Sequence, residues 1–149
     1  MVPQNMWFQN LRQILTKKQW DEVRKDAFKK QDNKCFICGK TPKRLEGHEL
    51  WIYDFHNKTQ KLDKVIGLCP LCHMTIHIGH SQLIGKESVC VAHYCKINNC
   101  SIDECEEDYI AAWDLWHKKN EVDWTLDLSW LEENYSIKVN YESLDRNHK

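Results

Sequence analysis

Apolar residues near the start of the chain recur every three or four positions, which is the spacing of an amphipathic helix. This pattern predicts one or two helices across roughly residues 9–31, with lysines and arginines on their exposed sides. Asp32 and Asn33 end the pattern. The apolar positions that define it are Leu11, Ile14, Leu15, Trp20, Val23, Ala27 and Phe28.

The middle of the chain changes to a period of two, the spacing of a β-strand. Trp51, Tyr53 and Phe55 alternate with polar or smaller residues. The polar run 56–58 then predicts a turn, and a return strand passes through Leu62 and residues 65–66 to Gly67. The sequence therefore predicts a β-hairpin over residues 44–66.

Helical spacing returns after the hairpin. Pro70 is a residue that the first turn of a helix tolerates, so we expect a short helix from Leu71 to Ile78. Two further helices are predicted at about 86–97 and 102–119, the second with Ser101 as its N-cap. An apolar segment follows and is expected to pack back onto the body of the protein; its members are Trp124, Leu126, Leu128, Trp130 and Leu131.

The net charge of −1 over 149 residues conceals a gradient along the chain. Residues 1–44 carry 11 Lys or Arg against 4 Asp or Glu, whereas residues 97–149 carry 5 against 13. Such asymmetry favours one face that attracts a polyanion. A solvated basic helix that touches an acidic one explains it equally well, and both interpretations stay open.

The cysteine content must be interpreted with the compartment in mind. No stretch approaches the roughly 20 apolar residues of a membrane span, and no secretory signal is visible at the N-terminus. These features predict a cytoplasmic protein without a membrane partner. In that compartment eight cysteines are more typical of metal ligands and buried thiols than of disulfides.

Four of the cysteines form two Cys-x-x-Cys knuckles, at Cys35/Cys38 and at Cys69/Cys72. Four thiolates at this spacing suit one tetrahedral structural Zn²⁺. The alternatives are two reduced thiol pairs or a redox-active pair. The remaining cysteines, Cys90, Cys95, Cys100 and Cys105, recur at five-residue steps that match no single helix face, so we expect buried thiols rather than a second metal site.

Histidines surround the knuckles. His48 lies between them, and His73 and His77 stand four residues apart on the helix predicted after the second knuckle, where they share one face. A knuckle, a hairpin, a knuckle and a short helix make a ββα order that one zinc would close. The other histidines at 93 and 117, and the tryptophans at 113 and 116, are expected to be packing or surface residues.

These motifs resemble the HNH (His-Me finger, ββα-metal) endonucleases, and in particular a cysteine-stapled, zinc-containing subgroup from bacteria and phages. The resemblance rests on residues 68–77, on His48-Glu49 in the first strand, on Trp20-Asp21 and on residues 124–130, so that it extends over nearly the whole chain. It implies an α+β fold in which a zinc-bound core at 35–83 is flanked by a basic helical segment at 1–34 and a helical extension at 84–141. A disordered tail is expected at 142–149.

The resemblance further implies a metal-dependent hydrolase that cleaves phosphodiester bonds in DNA. Its catalytic residues would be His48, Glu49, His73 and His77, and one catalytic ion (Mg²⁺, Mn²⁺, Ni²⁺ or Zn²⁺) would be held by His73, His77 and Glu49. In one alignment His48 is the general base and Glu49 orients it or ligates the ion. In the other, His48 is the third metal ligand and Glu49 is the base.

One position departs from the family pattern, because Lys64 stands where the central Asn of the motif is expected. Lys64 and His80 are candidate contacts to nucleic acid, as are Lys25, Lys29 and Lys30 on the basic helix. The departure also keeps a second interpretation open, in which the chain is a catalytically inactive, zinc-stapled module that binds DNA or protein. A homodimer or an unknown protein partner is compatible with either interpretation.

Overall fold

The computed structural model describes residues 1–7 and 9–141, and the tail predicted at 142–149 lies outside this range. The described chain combines helices with a three-stranded sheet, which confirms the predicted α+β class. A one-turn 3-10 helix, Gln4–Met6, precedes the other elements. In chain order these are α1 (Leu11–Ile14), α2 (Lys17–Lys30), β1 (Glu46–Asp54), β2 (Thr59–Leu68), α3 (Pro70–Ile76), α4 (Ile78–Leu83), α5 (Glu87–Asn98), α6 (Ile102–Asn120), β3 (Thr125–Asp127) and α7 (Ser129–Tyr135).

The N-terminal helical pattern forms two helices separated at Leu15, whose backbone is extended. α2 begins with a capping box, because Thr16 and Gln19 each accept a hydrogen bond from the other's backbone N–H. This arrangement satisfies two amide groups that a helix start leaves unpaired. The buried side of α2 carries Trp20 and Val23, as the apolar spacing predicts.

The predicted hairpin is present as β1 and β2, which pair antiparallel from Glu46↔Leu68 to Asp54↔Thr59. The register shifts between Leu50 and Trp51, where β2 carries one extra residue. β3 then pairs parallel with the start of β2, so the strand order is β1-β2-β3. β3 has no counterpart among the elements predicted from the sequence.

The two faces of the hairpin pack against different helices. A Cβ atom added at Gly47 or Gly67, which are paired across the strands, would lie within 3 Å of the ring of Trp20 or Phe28 respectively, so α2 approaches this face closely. The core on this side contains Leu11, Leu15, Trp20, Val23, Ala27, Leu62, Val65, Leu128, Leu131 and Ile137. The expected return of the apolar C-terminal segment onto the body is thereby confirmed.

The opposite face of the hairpin packs against the knuckles and α3. Its smaller core consists of Cys35, Ile66, Leu68 and Cys72, with Leu50 and Ile76 packed against it. Residues of one strand alternate between the two faces of a sheet. Positions 46, 48 and 50 of β1 therefore face α3, and positions 47 and 49 face α1 and α2.

The helix predicted over 71–78 is wrong in its extent. α3 ends at Ile76, and α4 begins at Ile78 after His77, whose φ of −91° and ψ of 51° leave the helical region. Nothing in the apolar spacing signals this break, because the pattern runs on through Ile78. The break separates His77 from the regular helix that carries His73.

The predicted pair of C-terminal helices is confirmed by α5 and α6. Ser101 caps α6 through a capping box with Glu104, as expected. α5 ends at Asn98, and its C-cap residue Asn99 adopts a left-handed backbone conformation. Among the described residues, no helix combines the length and the apolar composition that crossing a bilayer requires.

Candidate metal centres

The sulfur atoms of Cys35, Cys38, Cys69 and Cys72 form a compact group in which all lie within 4.8 Å of one another. The sulfurs of Cys38 and Cys69 are 3.9 Å apart. Two thiolates on one tetrahedral Zn²⁺, each about 2.3 Å from the ion, stand about 3.8 Å apart. The predicted zinc cysteines therefore converge with the spacing that a structural zinc requires.

Local backbone geometry brings the two knuckles together. Gly39 closes the first knuckle with a φ of +67°, a conformation that glycine adopts without strain. The amide of Phe36 donates to the carbonyl of Gly67 at 3.0 Å, which ties this knuckle to β2. In the second knuckle Cys69 is the N-cap of α3, and its sulfur accepts a hydrogen bond from the amide of Cys72.

The electrostatics of the group favour a bound cation. Burial alone would raise the pKa of Cys35, but hydrogen bonds from backbone amides, including those of Cys38 and Cys69, lower it to about 7. At Cys72, burial and the neighbouring thiols raise the pKa. Four anionic sulfurs are thus disfavoured without a positive charge between them, and a divalent ion would supply that charge.

The other cysteines lie on α5, α6 and the connection between them. Cys90 and Cys105 are fully buried, in agreement with the expected buried thiols, whereas Cys95 and Cys100 are half-buried. Within the described residues, none of the four belongs to a group of three or more ligand atoms close enough to share an ion.

A second group consists of the three imidazoles of His48, His73 and His77, whose ligand atoms all lie within 4.8 Å of one another. The Nε2 atoms of His73 and His77 are 3.2 Å apart. Two imidazoles on one tetrahedral ion, with metal–nitrogen distances of about 2.0–2.1 Å, place their nitrogens about 3.3 Å apart. The geometry therefore fits a shared divalent ion, and we refer to this group as the histidine triad.

Two residues outside the predicted set hold one member of the triad, His73, in place. The carboxylate of Glu46 lies 2.7 Å from Nδ1 of His73, and the guanidinium of Arg44 lies 2.8 Å from the other oxygen of Glu46. A carboxylate that accepts from Nδ1–H fixes the tautomer in which Nε2 offers its lone pair. The sequence could have indicated a role for Glu46 beside His48, because the two residues are two positions apart on one strand and so share a face.

Imidazole protonation would compete with metal binding, and the surroundings disfavour it. Burial, followed by repulsion from the neighbouring rings, lowers the pKa of His48 to about 3. The same causes lower the pKa of His77 to about 4; although His77 is an exposed residue, its Nε2 faces the other imidazoles. Both rings are therefore neutral at physiological pH and can act as ligands.

Glu49 lies apart from the triad. Its carboxylate accepts a hydrogen bond from the amide of Leu11 at 3.0 Å, on the face of β1 that packs against α1. Burial raises the pKa of this carboxyl group. Of the predicted catalytic residues, the structure thus brings together His48, His73 and His77 and places Glu49 on the other side of the strand.

The candidate contacts to nucleic acid are dispersed. Lys64 is exposed at the register shift, 3.7 Å from Asp63, with its Nζ over the ring of Phe36. His80 is exposed on α4. Three further exposed candidates, Lys25, Lys29 and Lys30, lie on α2, which packs on the sheet face opposite the triad.

His93, which the sequence analysis assigned to packing or surface, contacts the cysteine group. Its Nε2 lies 3.1 Å from the sulfur of Cys72. No pattern in the sequence signals this contact, because the two residues are 21 positions apart and meet only when α5 packs on α3.

In comparisons with known proteins, no protein family, curated protein or solved structure matches this chain. The features of the chain that indicate a function are therefore the two groups of ligating side chains. They are adjacent, because Cys72 belongs to the first group and His73 to the second. The protein therefore carries a cysteine site suited to structural zinc and, beside it, a histidine triad suited to a further ion.

Proposed function

We propose that this protein is a metal-dependent endonuclease of the HNH type that hydrolyses phosphodiester bonds in DNA. The observation that carries the proposal is the convergence of His48 from the first strand of a hairpin with His73 and His77 from the segment after it. The cysteine group closes the same hairpin and segment into one unit.

The composition of the triad supports a catalytic rather than a structural ion. Three imidazole ligands leave at least one coordination position free, whereas a four-cysteine site is closed. When bound, a divalent ion supplies Lewis acidity and lowers the pKa of a bound water to about 7. His77 is an exposed residue, which supports access of substrate to an ion bound at the triad.

The positions of the chain's own residues support part of one alignment with the family, in which His48 is the third metal ligand, but they do not support Glu49 as its base. His48 acts as the third ligand, because its ring lies 5.2 Å from that of His73 and 5.0 Å from that of His77. Glu46 orients His73 and keeps its Nε2 available. Glu49 attaches β1 to α1, and we assign it no part in the reaction.

Exposed basic residues in the segment that leads into β1 support DNA as the substrate class. Lys40, Lys43 and Arg44 are exposed between the first knuckle and β1, and of these Arg44 contacts the triad through Glu46. A cation beside the triad would bind a phosphate of the substrate. Binding that depends on phosphate contacts weakens steeply as salt rises.

The test is cleavage of supercoiled plasmid DNA in the presence of Mg²⁺, Mn²⁺, Ni²⁺ or Zn²⁺. We expect nicked product with wild-type protein and its loss in His48→Ala and in His73→Ala, while His117→Ala, an exposed histidine of α6, cleaves normally. Retention of one zinc by each variant would show that the cysteine site is intact. Undiminished cleavage by both triad variants would rule out the triad as the active centre.

The second candidate is a zinc-stapled module that binds DNA or protein without cleaving. The position of Glu49 on the far side of β1 and the presence of Lys64 in place of the motif's Asn favour it. This candidate predicts salt-sensitive binding to DNA or a protein partner with no product in any metal. The plasmid assay, run beside a binding measurement at matched salt, separates the two candidates.

A further inference from the structure

We propose that His93 belongs to the cysteine metal site as a hydrogen-bond donor to the sulfur of Cys72, and that it thereby couples α5 to the bound metal. His93 is a positioning residue in this role and not a ligand. The proposal concerns the structural site and stands independently of any nuclease activity.

The contact is direct and lies in a packed region. Nε2 of His93 is 3.1 Å from Sγ of Cys72, well within the range of hydrogen bonds to sulfur. Cys72 is buried, and His93 is half-buried. Cys90, one helical turn before His93 on α5, is also fully buried, so this side of α5 faces inward.

The chemistry of a loaded site determines the direction of the hydrogen bond. A metal-bound cysteine is a thiolate and carries no proton to donate. The hydrogen must therefore sit on Nε2 of His93. Four thiolates around one Zn²⁺ leave a net charge of −2 on the site, and a donor aimed at one sulfur disperses part of that charge.

The same geometry argues against His93 as a fifth ligand. The atoms close enough to share one ion are the four sulfurs, all within 4.8 Å of one another, and Nε2 of His93 is not among them. Its position behind Cys72 is that of an outer-shell partner, which orients a ligand without touching the metal.

The test follows the release of Co²⁺ from the full-length protein. Cobalt bound by thiolates shows a sulfur-to-metal charge-transfer band, and the histidine triad has no thiolate, so the band reports the cysteine site alone. The protein is loaded anaerobically, and decay of the band is followed after addition of a chelator in excess. The variants are His93→Gln, which keeps a side-chain donor, and His93→Met, which has similar length but no donor; His117→Ala is the surface control.

Loss of an outer-shell partner lowers metal affinity by about 10–100-fold, so we expect His93→Met to release cobalt about tenfold faster than wild type. His93→Gln should retain much of the wild-type rate, and His117→Ala should match wild type. Equal rates for His93→Met and wild type would overturn the proposal. So would equally fast release from the Gln and Met variants, which would mean that ring packing and not the donor matters. A wild-type band with the intensity of only three thiolates would make His93 a ligand and overturn it as well.

Discussion

The carboxylate of Glu46 lies 2.7 Å from Nδ1 of His73, on the side of the ring opposite the nitrogen that faces His77. The ring of His73 thus lies between a carboxylate and a potential metal position. The guanidinium of Arg44 also pairs with Glu46, so that Arg44, Glu46 and His73 form a continuous series of polar contacts that ends at the triad. This relationship leads to the first prediction.

Replacing Glu46 should weaken metal binding at the triad without disturbing the cysteine site. We expect Glu46→Ala to lose about 10–100-fold in affinity for Ni²⁺, because His73 is then free to rotate and to change tautomer. Glu46→Gln should lose less, since its amide oxygen can still accept from Nδ1–H. Titration calorimetry on protein that already holds its structural zinc gives the measurement. Glu132→Gln, which alters an exposed carboxylate paired with Lys138, is the matched control and should bind as wild type.

Removing one cysteine ligand should cost both the zinc and much of the stability. In Cys38→Ser we expect the loss of about one zinc per chain and a large drop in the melting temperature, because coordination contributes folding free energy directly. Elemental analysis and thermal unfolding provide the two readouts. Cys100→Ser, outside the cysteine group, should keep its zinc; a Cys38→Ser protein with unchanged metal content and melting temperature would contradict the assignment.

A methyl group at Gly67 should destabilise the contact between the sheet and α2. The new Cβ would lie 2.6 Å from Cδ1 of Phe28, close to that ring's attachment, so the ring must move as a whole. We expect Gly67→Ala to lower the free energy of unfolding by about 1–3 kcal/mol, as overpacking commonly does. Urea unfolding measures the change, and Phe28→Leu in the same chain should recover part of it.

The matched control for this prediction is Gly79→Ala on α4. Its new Cβ would meet Trp113 at 3.5 Å, an ordinary contact distance. Alanine also has a higher helix propensity than glycine, by roughly 1 kcal/mol. Gly79→Ala should therefore be neutral or stabilising, and equal losses in the two variants would show that the loss at Gly67 does not come from the contact with Phe28.

The hydroxyl of Tyr135 should contribute to stability in a pH-dependent way. It donates to Asp26 at 2.7 Å, and Lys30 lies 2.7 Å from the same oxygen. The hydrogen bond from Lys30, and then that from Tyr135, lower the pKa of Asp26. A carboxyl group with a depressed folded-state pKa stabilises the fold above its unfolded pKa of about 3.9, and this contribution is lost as the pH falls through the folded value.

Tyr135→Phe should therefore cost up to about 1 kcal/mol at pH 7, reduced by the partial exposure of the pair. The difference from wild type should shrink as the pH is lowered below about 4. Urea unfolding at both pH values measures it. The same substitution in an Asp26→Asn background should cost less at pH 7, and a pH-independent loss would show that the hydroxyl acts through packing alone.

α2 and the hairpin could be predicted because each is long enough for its apolar period to repeat, whereas the short helices α4 and α7 were not predicted as helices. The pattern of α2 repeats over several turns, and β1 and β2 each span at least nine residues. β3 has only three residues, too few for an alternation to show. It exists because Thr125 and its neighbours meet the edge of β2, a contact that only the folded chain provides.

The residues of the candidate sites also divide into those that the sequence pattern indicates and those that only the folded chain brings together. The knuckles and the pair His73 and His77 were recognisable because their ligands are close in sequence and their spacing is set by local geometry. Glu46 was overlooked although the strand period places it beside His48. His93 could not have been found, because its contact with Cys72 depends on how α5 packs on α3.

Gly47 and Gly67 have a consequence for how an ion would be captured. The two glycines are paired across the strands, Gly47 directly before His48 and Gly67 directly after Ile66. Because neither has a side chain, the rings of Trp20 and Phe28 pack directly on the backbone of the two strands. A strand held at its backbone has little freedom to shift or twist at the next residue. The backbone that carries the imidazole of His48 is therefore fixed by packing, and an ion bound at the triad would cost little further backbone entropy at this residue.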